Sequence, residues 1–134
     1  MSAFRQLSPG VLVAGQIQID DLAEAAALGV RRVINNRPDH EEPGQPTSAM
    51  IEAATRAAGL DYVHAPARGM PDPAVVDAVA AALSDGAPVL MFCKSGMRSS
   101  AAWALAVSRS GTLSRDEILT AAAGAGYALG GLPL

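Results

Sequence analysis

The chain has 134 residues, half of them apolar, and its 17% charged residues leave a formal net charge of −3. That size suits one compact domain over residues 1–134 with its own core, and the mild acidity gives no bulk attraction to nucleic acid or to an anionic membrane surface. One cysteine excludes an internal disulfide framework and a multi-cysteine metal site. It fits a reducing compartment, the cytoplasm by default. The start, Met1-Ser2-Ala3-Phe4-Arg5-Gln6, lacks the apolar core of a leader, and charges interrupt every apolar run before it reaches spanning length.

Short β-branched runs alternate with alanine-rich helical stretches, the pattern of an α/β fold with a mainly parallel central sheet flanked by helices. Val11-Leu12-Val13 reads as the first strand. Asp20 or Asp21 is placed to cap a helix carrying Leu22, Ala25, Ala26 and Leu28, stopped by Gly29. Arg32 to Asn35 forms a strand, Pro46 to Ala58 a helix closed by Gly59, and Asp61 to Ala65 another strand. Asp72-Pro73 then opens a helix with Val75, Val76, Val79 and Leu83 on one face. Pro88 to Phe92 is continuously apolar after its proline, as a strand covered on both faces should be. Ser99 to Ser108 reads as helix, and Ser114-Arg115-Asp116-Glu117 is a capping box for the last one. The glycine-rich tail from Gly124 reads as loosely packed. Two connections, Asn35 to Gln45 and Pro66 to Asp72, are long or oddly composed, which suits functional loops.

The chemistry concentrates where the best strand ends. Cys93 is followed by Lys94, Ser95, Gly96, Met97 and Arg98, then by a helix. Free amides at a helix start favour negative charge, Gly96 lets the backbone curl so that successive amides point inward, and Arg98 adds a fixed cation. Such a loop holds a cysteine nucleophile and an oxyanion equally well. The plain alternative is a small buried hydrophobe at a strand end.

The Cys93 to Arg98 motif resembles the catalytic loop shared by cysteine phosphatases and rhodaneses. Gly15-Gln16-Ile17, Gly29 to Asp39 and Glu41-Glu42-Pro43-Gly44-Gln45-Pro46 resemble a phosphatase-like sulfurtransferase family, which also supplies the phosphatase-like domain of β-lactamase-hydrolase-like proteins. The resemblance runs from about Arg5 to about Leu129 and implies a cysteine-phosphatase-like fold of the dual-specificity type rather than a rhodanese fold. It implies Cys93 and Arg98 as catalytic residues. Lys94, Ser95, Gly96, Met97 and Ser99 fall on the binding loop, with Arg37 and Asp39 on a rim above it.

Three departures favour sulfur transfer over phosphate hydrolysis, with a non-catalytic anion- or persulfide-binding module as the further alternative. Four residues separate Cys93 from Arg98, where phosphatases of this kind have five, so the ring of amides is shorter and suits a sulfur atom better than a phosphoryl group. The general-acid position offers Ala67, Arg68 and Gly69, with Asp72 better explained as a helix cap and Asp39 left to reach in from its loop. Phe92 stands before the cysteine where phosphatases carry histidine. The expected substrate is a small anionic sulfur or phosphate compound, and the expected sulfur acceptor is a low-molecular-weight or protein thiol. Ser99 reads more simply as a helix cap, and Arg37 and Asp39 also fit an Asx turn and a surface ion pair. His64 lacks a second ligand at useful spacing, so no metal is expected, and no cofactor is called for.

Overall fold

The computed structural model describes residues 3–134, so Met1 and Ser2, which the sequence reading takes as part of the domain and its non-leader start, lie outside the described residues. Five strands form one sheet, β1 (Arg5–Ser8), β2 (Val11–Ala14), β3 (Arg32–Asn35), β4 (Asp61–His64) and β5 (Val89–Phe92), in the order β1-β2-β5-β3-β4. β1 runs antiparallel to β2, and the other pairs are parallel. β5 is thus central, and the ends of β2, β3 and β4 open onto the same edge as Cys93. In a parallel sheet that carboxyl edge is where ligands bind.

The helices are α1 (Asp21–Ala27), α2 (Ser48–Ala57), α3 (Pro73–Leu83), α4 (Met97–Ser110) and α5 (Arg115–Gly124). They divide the core in two. Leu90 and Phe92 pack with Leu22, Ala25 and Ile51 from α1 and α2, whereas Val89 and Met91 pack with Val79, Trp103 and Ile118 from α3, α4 and α5. All four β5 residues are buried, because alternate side chains of one strand feed both clusters. The capping box at Ser114 and Glu117 forms, and Asp72 caps α3 by accepting from Val75 N. Among the described residues no helix is long and apolar enough to cross a membrane.

Several expectations need correction. β1 was not anticipated. α2 starts at Ser48, two residues beyond Pro46, with Thr47 as its cap, and β4 stops at His64. Neither Asp20 nor Asp21 caps α1, since Asp20 makes no capping bond and Asp21 accepts instead from Gln18 N; Leu28 is exposed. α4 begins earlier than Ser99, at Met97, and runs on to Ser110. The tail is packed: Ala125, Leu129 and Leu132 are buried, and Arg115 donates to the carbonyls of Gly130 and Leu132.

Candidate active site

The loop after β5 turns sharply because Gly96 adopts φ 93, a left-handed conformation that costs a side-chain residue dearly. Gly96 also serves as the N-cap of α4 and directs its own N–H to Cys93 Sγ at 3.1 Å. Cys93 is the single free cysteine and is fully buried. Reaction at the sulfur therefore requires the atoms that cover it to move. Ser95 Oγ accepts from Met97 N at 3.3 Å, Lys94 is exposed, and Met97 is 42% exposed.

Arg98 ties the end of the loop to Glu41 and Ala67. Its Nη1 donates to Glu41 Oε2 at 2.7 Å and to Ala67 O at 2.6 Å, and Nη2 donates to Glu41 Oε1 at 2.9 Å. The carboxylate thus grips the end of the guanidinium. The other edge, Nε with Nη2, is the side that a bidentate anion takes, and the Cys93 sulfur lies within reach of the guanidinium. Hydrogen bonding to Glu41 raises Arg98 above its ordinary value against desolvation, and the nearby Cys93 sulfur adds to the rise. The Arg98 hydrogen bonds in turn hold the Glu41 carboxyl at about 2.

Arg37 is not an open rim residue. It is 3% exposed, and its guanidinium donates to Glu41 Oε1 at 2.8 Å, to Gln16 Oε1 at 3.0 Å and to Glu42 Oε1 at 2.7 Å. Those carboxylates satisfy the cation that was expected to bind substrate. Its own amide closes an Asx turn on Asn35 Oδ1. Asp39 is likewise committed elsewhere, accepting from Ser48 N at 2.7 Å at the start of α2. Lys94 Nζ lies 3.7 Å from Glu42 Oε1.

Ser99 is neither a cap nor a partner of the sulfur. It is fully buried and donates to Asn36 Oδ1 at 2.8 Å, while Asn36 Nδ2 reaches Ala65 O at 2.8 Å. This buried network fixes the end of β3 against β4 and α4. His64 Nε2 meets Arg37 O at 2.9 Å.

Sequence reasoning assigned no role to Glu41, Gln45 or Gln16. Gln45 Oε1 accepts from the amides of Glu41 and Glu42, and its Nε2 donates to Pro38 O. His40 turns the same loop with φ 64. The available signal was Glu41-Glu42-Pro43-Gly44-Gln45-Pro46, in which two acids stand beside turn residues. Beyond Arg98 lies an apolar cleft of about 300 Å³ between Gly69–Pro71, Met97, Ala101 and the tail at Leu129 and Leu132. Trp103, on the same helix, is buried in the core.

With this geometry in place, the comparisons are specific. The profile described as "Beta-lactamase hydrolase-like protein, phosphatase-like domain" matches residues 3–112. A β-lactamase hydrolase-like protein of Agrobacterium fabrum is 34% identical over 123 residues, covering 88% of this chain and 28% of that protein. The chain therefore spans little more than a quarter of that relative's length. A crystal structure of a Neisseria meningitidis protein provisionally assigned as a phosphatase superposes with a TM-score of 0.79 at 32% identity, covering 97% of this chain and 93% of that one. Tk-PTP in its active form matches with a TM-score of 0.75 at 18% identity over 96% of this chain and 88% of its own, which speaks to the fold alone. The expected cysteine-phosphatase type of fold is the one found, and the chain belongs to the family of phosphatase-like domains of β-lactamase hydrolase-like proteins.

Proposed function

We propose that this domain is a sulfurtransferase working through a Cys93 persulfide. One observation carries the reading: only four residues separate Cys93 from Arg98, and they close a tight loop with the Gly96 amide 3.1 Å from the sulfur. A persulfide needs one more sulfur atom in that ring, whereas a phosphoryl group needs room for three oxygens. In the first step Cys93 thiolate attacks the outer sulfur of thiosulfate or of a persulfide. A new S–S bond forms, the donor's S–S bond breaks, and sulfite or a thiolate leaves with the electron pair. An acceptor thiolate then attacks the outer sulfur of the Cys93 persulfide, which restores the Cys93 thiolate and carries the sulfur away. The two-step exchange needs no external oxidant and no acid for its leaving group. In the same reading Arg98 orients the anionic donor, the acceptor is a small or protein thiol, and the reducing cytoplasm keeps Cys93 free.

The surroundings support this over phosphate hydrolysis. Ala67 occupies the general-acid region with its carbonyl on Arg98, Asp72 caps α3, and Asp39 holds α2. The Ser99 hydroxyl, which in a phosphatase would assist the departing thiol, is spent on Asn36. A cysteine phosphatase is the second reading, favoured by the provisional assignment of the Neisseria relative. Incubation with thiosulfate should add one sulfur to the intact protein, removable by cyanide and absent in Cys93→Ser. Strong Cys93-dependent hydrolysis of aryl phosphate, with no persulfide from thiosulfate or glutathione persulfide, would favour the second reading instead.

A further inference from the structure

The tail lies beyond the 3–112 family match, yet it touches the cysteine loop. Tyr127, just after α5, donates from Oη to Ser95 O at 2.9 Å. That oxygen belongs to the same peptide unit as the Gly96 N–H. All described peptide bonds are trans, and in a trans peptide the C=O and N–H point in opposite directions. Holding the oxygen outward therefore turns the Gly96 N–H inward, which is the direction of Cys93 Sγ.

The fit is close. A Cβ on Gly96 would lie 2.0 Å from Tyr127 Oη and 2.8 Å from its Cζ, so the phenol fills the space that glycine leaves. The preceding peptide is treated the same way from the other side: Gln16 N donates to Lys94 O at 3.2 Å, which turns the Ser95 amide away from β2. Two successive loop carbonyls are thus tied outward, one by the end of β2 and one by the tail. Burial raises the Tyr127 phenol, with Arg5 opposing and Cys93 adding to the rise, so the hydroxyl keeps its proton and remains a donor.

We propose that Tyr127 is a positioning residue, which aims the Gly96 amide at the Cys93 sulfur by holding the Ser95 carbonyl. The consequence for catalysis rests on the reading of Cys93 as the reacting atom, but the orientation of the amide can be tested apart from it.

Tyr127→Phe keeps the ring and removes only the donor. Hydrogen exchange at the Gly96 amide should become about fivefold faster, the factor expected for one lost hydrogen bond, while amides within β5 and α4 keep their protection. Iodoacetamide should modify Cys93 more slowly by a similar factor in fully folded protein. Tyr127→Ala, which also empties the space beside Gly96, should produce a larger change at the same two readouts. A purely packing role predicts a lower melting temperature with Gly96 exchange and Cys93 alkylation unchanged, and that result overturns the assignment. If Gly96 responds as expected but the unmodified protein forms no persulfide from either donor, the sulfur-transfer reading falls and the positioning role stands.

Discussion

Replacing Glu41 by glutamine keeps the side chain's shape and removes the charge that Arg98 and Arg37 share. The Glu41 carboxyl falls from an ordinary 4.5 to about 2, first through the Arg98 hydrogen bonds, against desolvation, and then through Arg37. At about 1.4 kcal/mol per pH unit, that fall corresponds to about 3.5 kcal/mol before solvent is considered. The side chain is 24% exposed, so screening reduces the expected contribution to about 1–2 kcal/mol. A depressed carboxylate stabilises the fold above its unfolded value and loses that contribution as pH falls through the folded one. Urea denaturation of the wild type and Glu41→Gln should therefore show a gap of about 1–2 kcal/mol at pH 7, held down to about pH 4.5 and closing toward pH 2. A gap as large at pH 2.5 as at pH 7 would mean that shape, not charge, is what Glu41 supplies, and the ion-pair account would be refuted.

Gly15→Ala should disturb the cysteine loop from the β2 side, because its Cβ would sit 2.9 Å from Lys94 O and the backbone there must move. Slower alkylation of Cys93 with a lowered melting temperature is expected, and unchanged alkylation would show that the loop tolerates the shift. Ser99→Ala should cost about 1–3 kcal/mol in chemical denaturation, since it leaves the buried Asn36 Oδ1 without its hydroxyl donor. A cost near zero would mean that water replaces the hydroxyl.

What the sequence made legible was whatever is local. Cys93 and Arg98 stand in one short motif between an apolar strand and a helix, so their proximity follows from a few residues. Val89 to Phe92 announces a central strand by being apolar throughout. β1 was missed because only Leu7 of Arg5–Ser8 is buried, which leaves no alternating pattern to read. The start of α4 was misplaced because a left-handed glycine caps it, with no side-chain capping bond to betray the boundary. The tail's glycines suggested looseness, but the apolar residues between them, Leu129 and Leu132, decide its packing. Glu41 reaches Arg98 across 57 positions, and Tyr127 reaches Ser95 across 32. No local pattern encodes such meetings; the sheet order produces them by bringing several loops to one edge.

The charges around the loop bear on which intermediate it can hold. Arg37, Lys94 and Arg98 supply three positive charges, and Glu41 and Glu42 return two negative ones through ion pairs among the same five residues. One unit of positive charge is left over, with the partial charge of the α4 start added to it. A cysteine persulfide carries a single negative charge, whereas a phosphocysteine at neutral pH carries close to two. Glu41 therefore does more than steady Arg98: by occupying one edge of the guanidinium it lowers the charge the site offers to a dianion. That balance supports the proposed persulfide over a phosphocysteine, as does the four-residue spacing between Cys93 and Arg98.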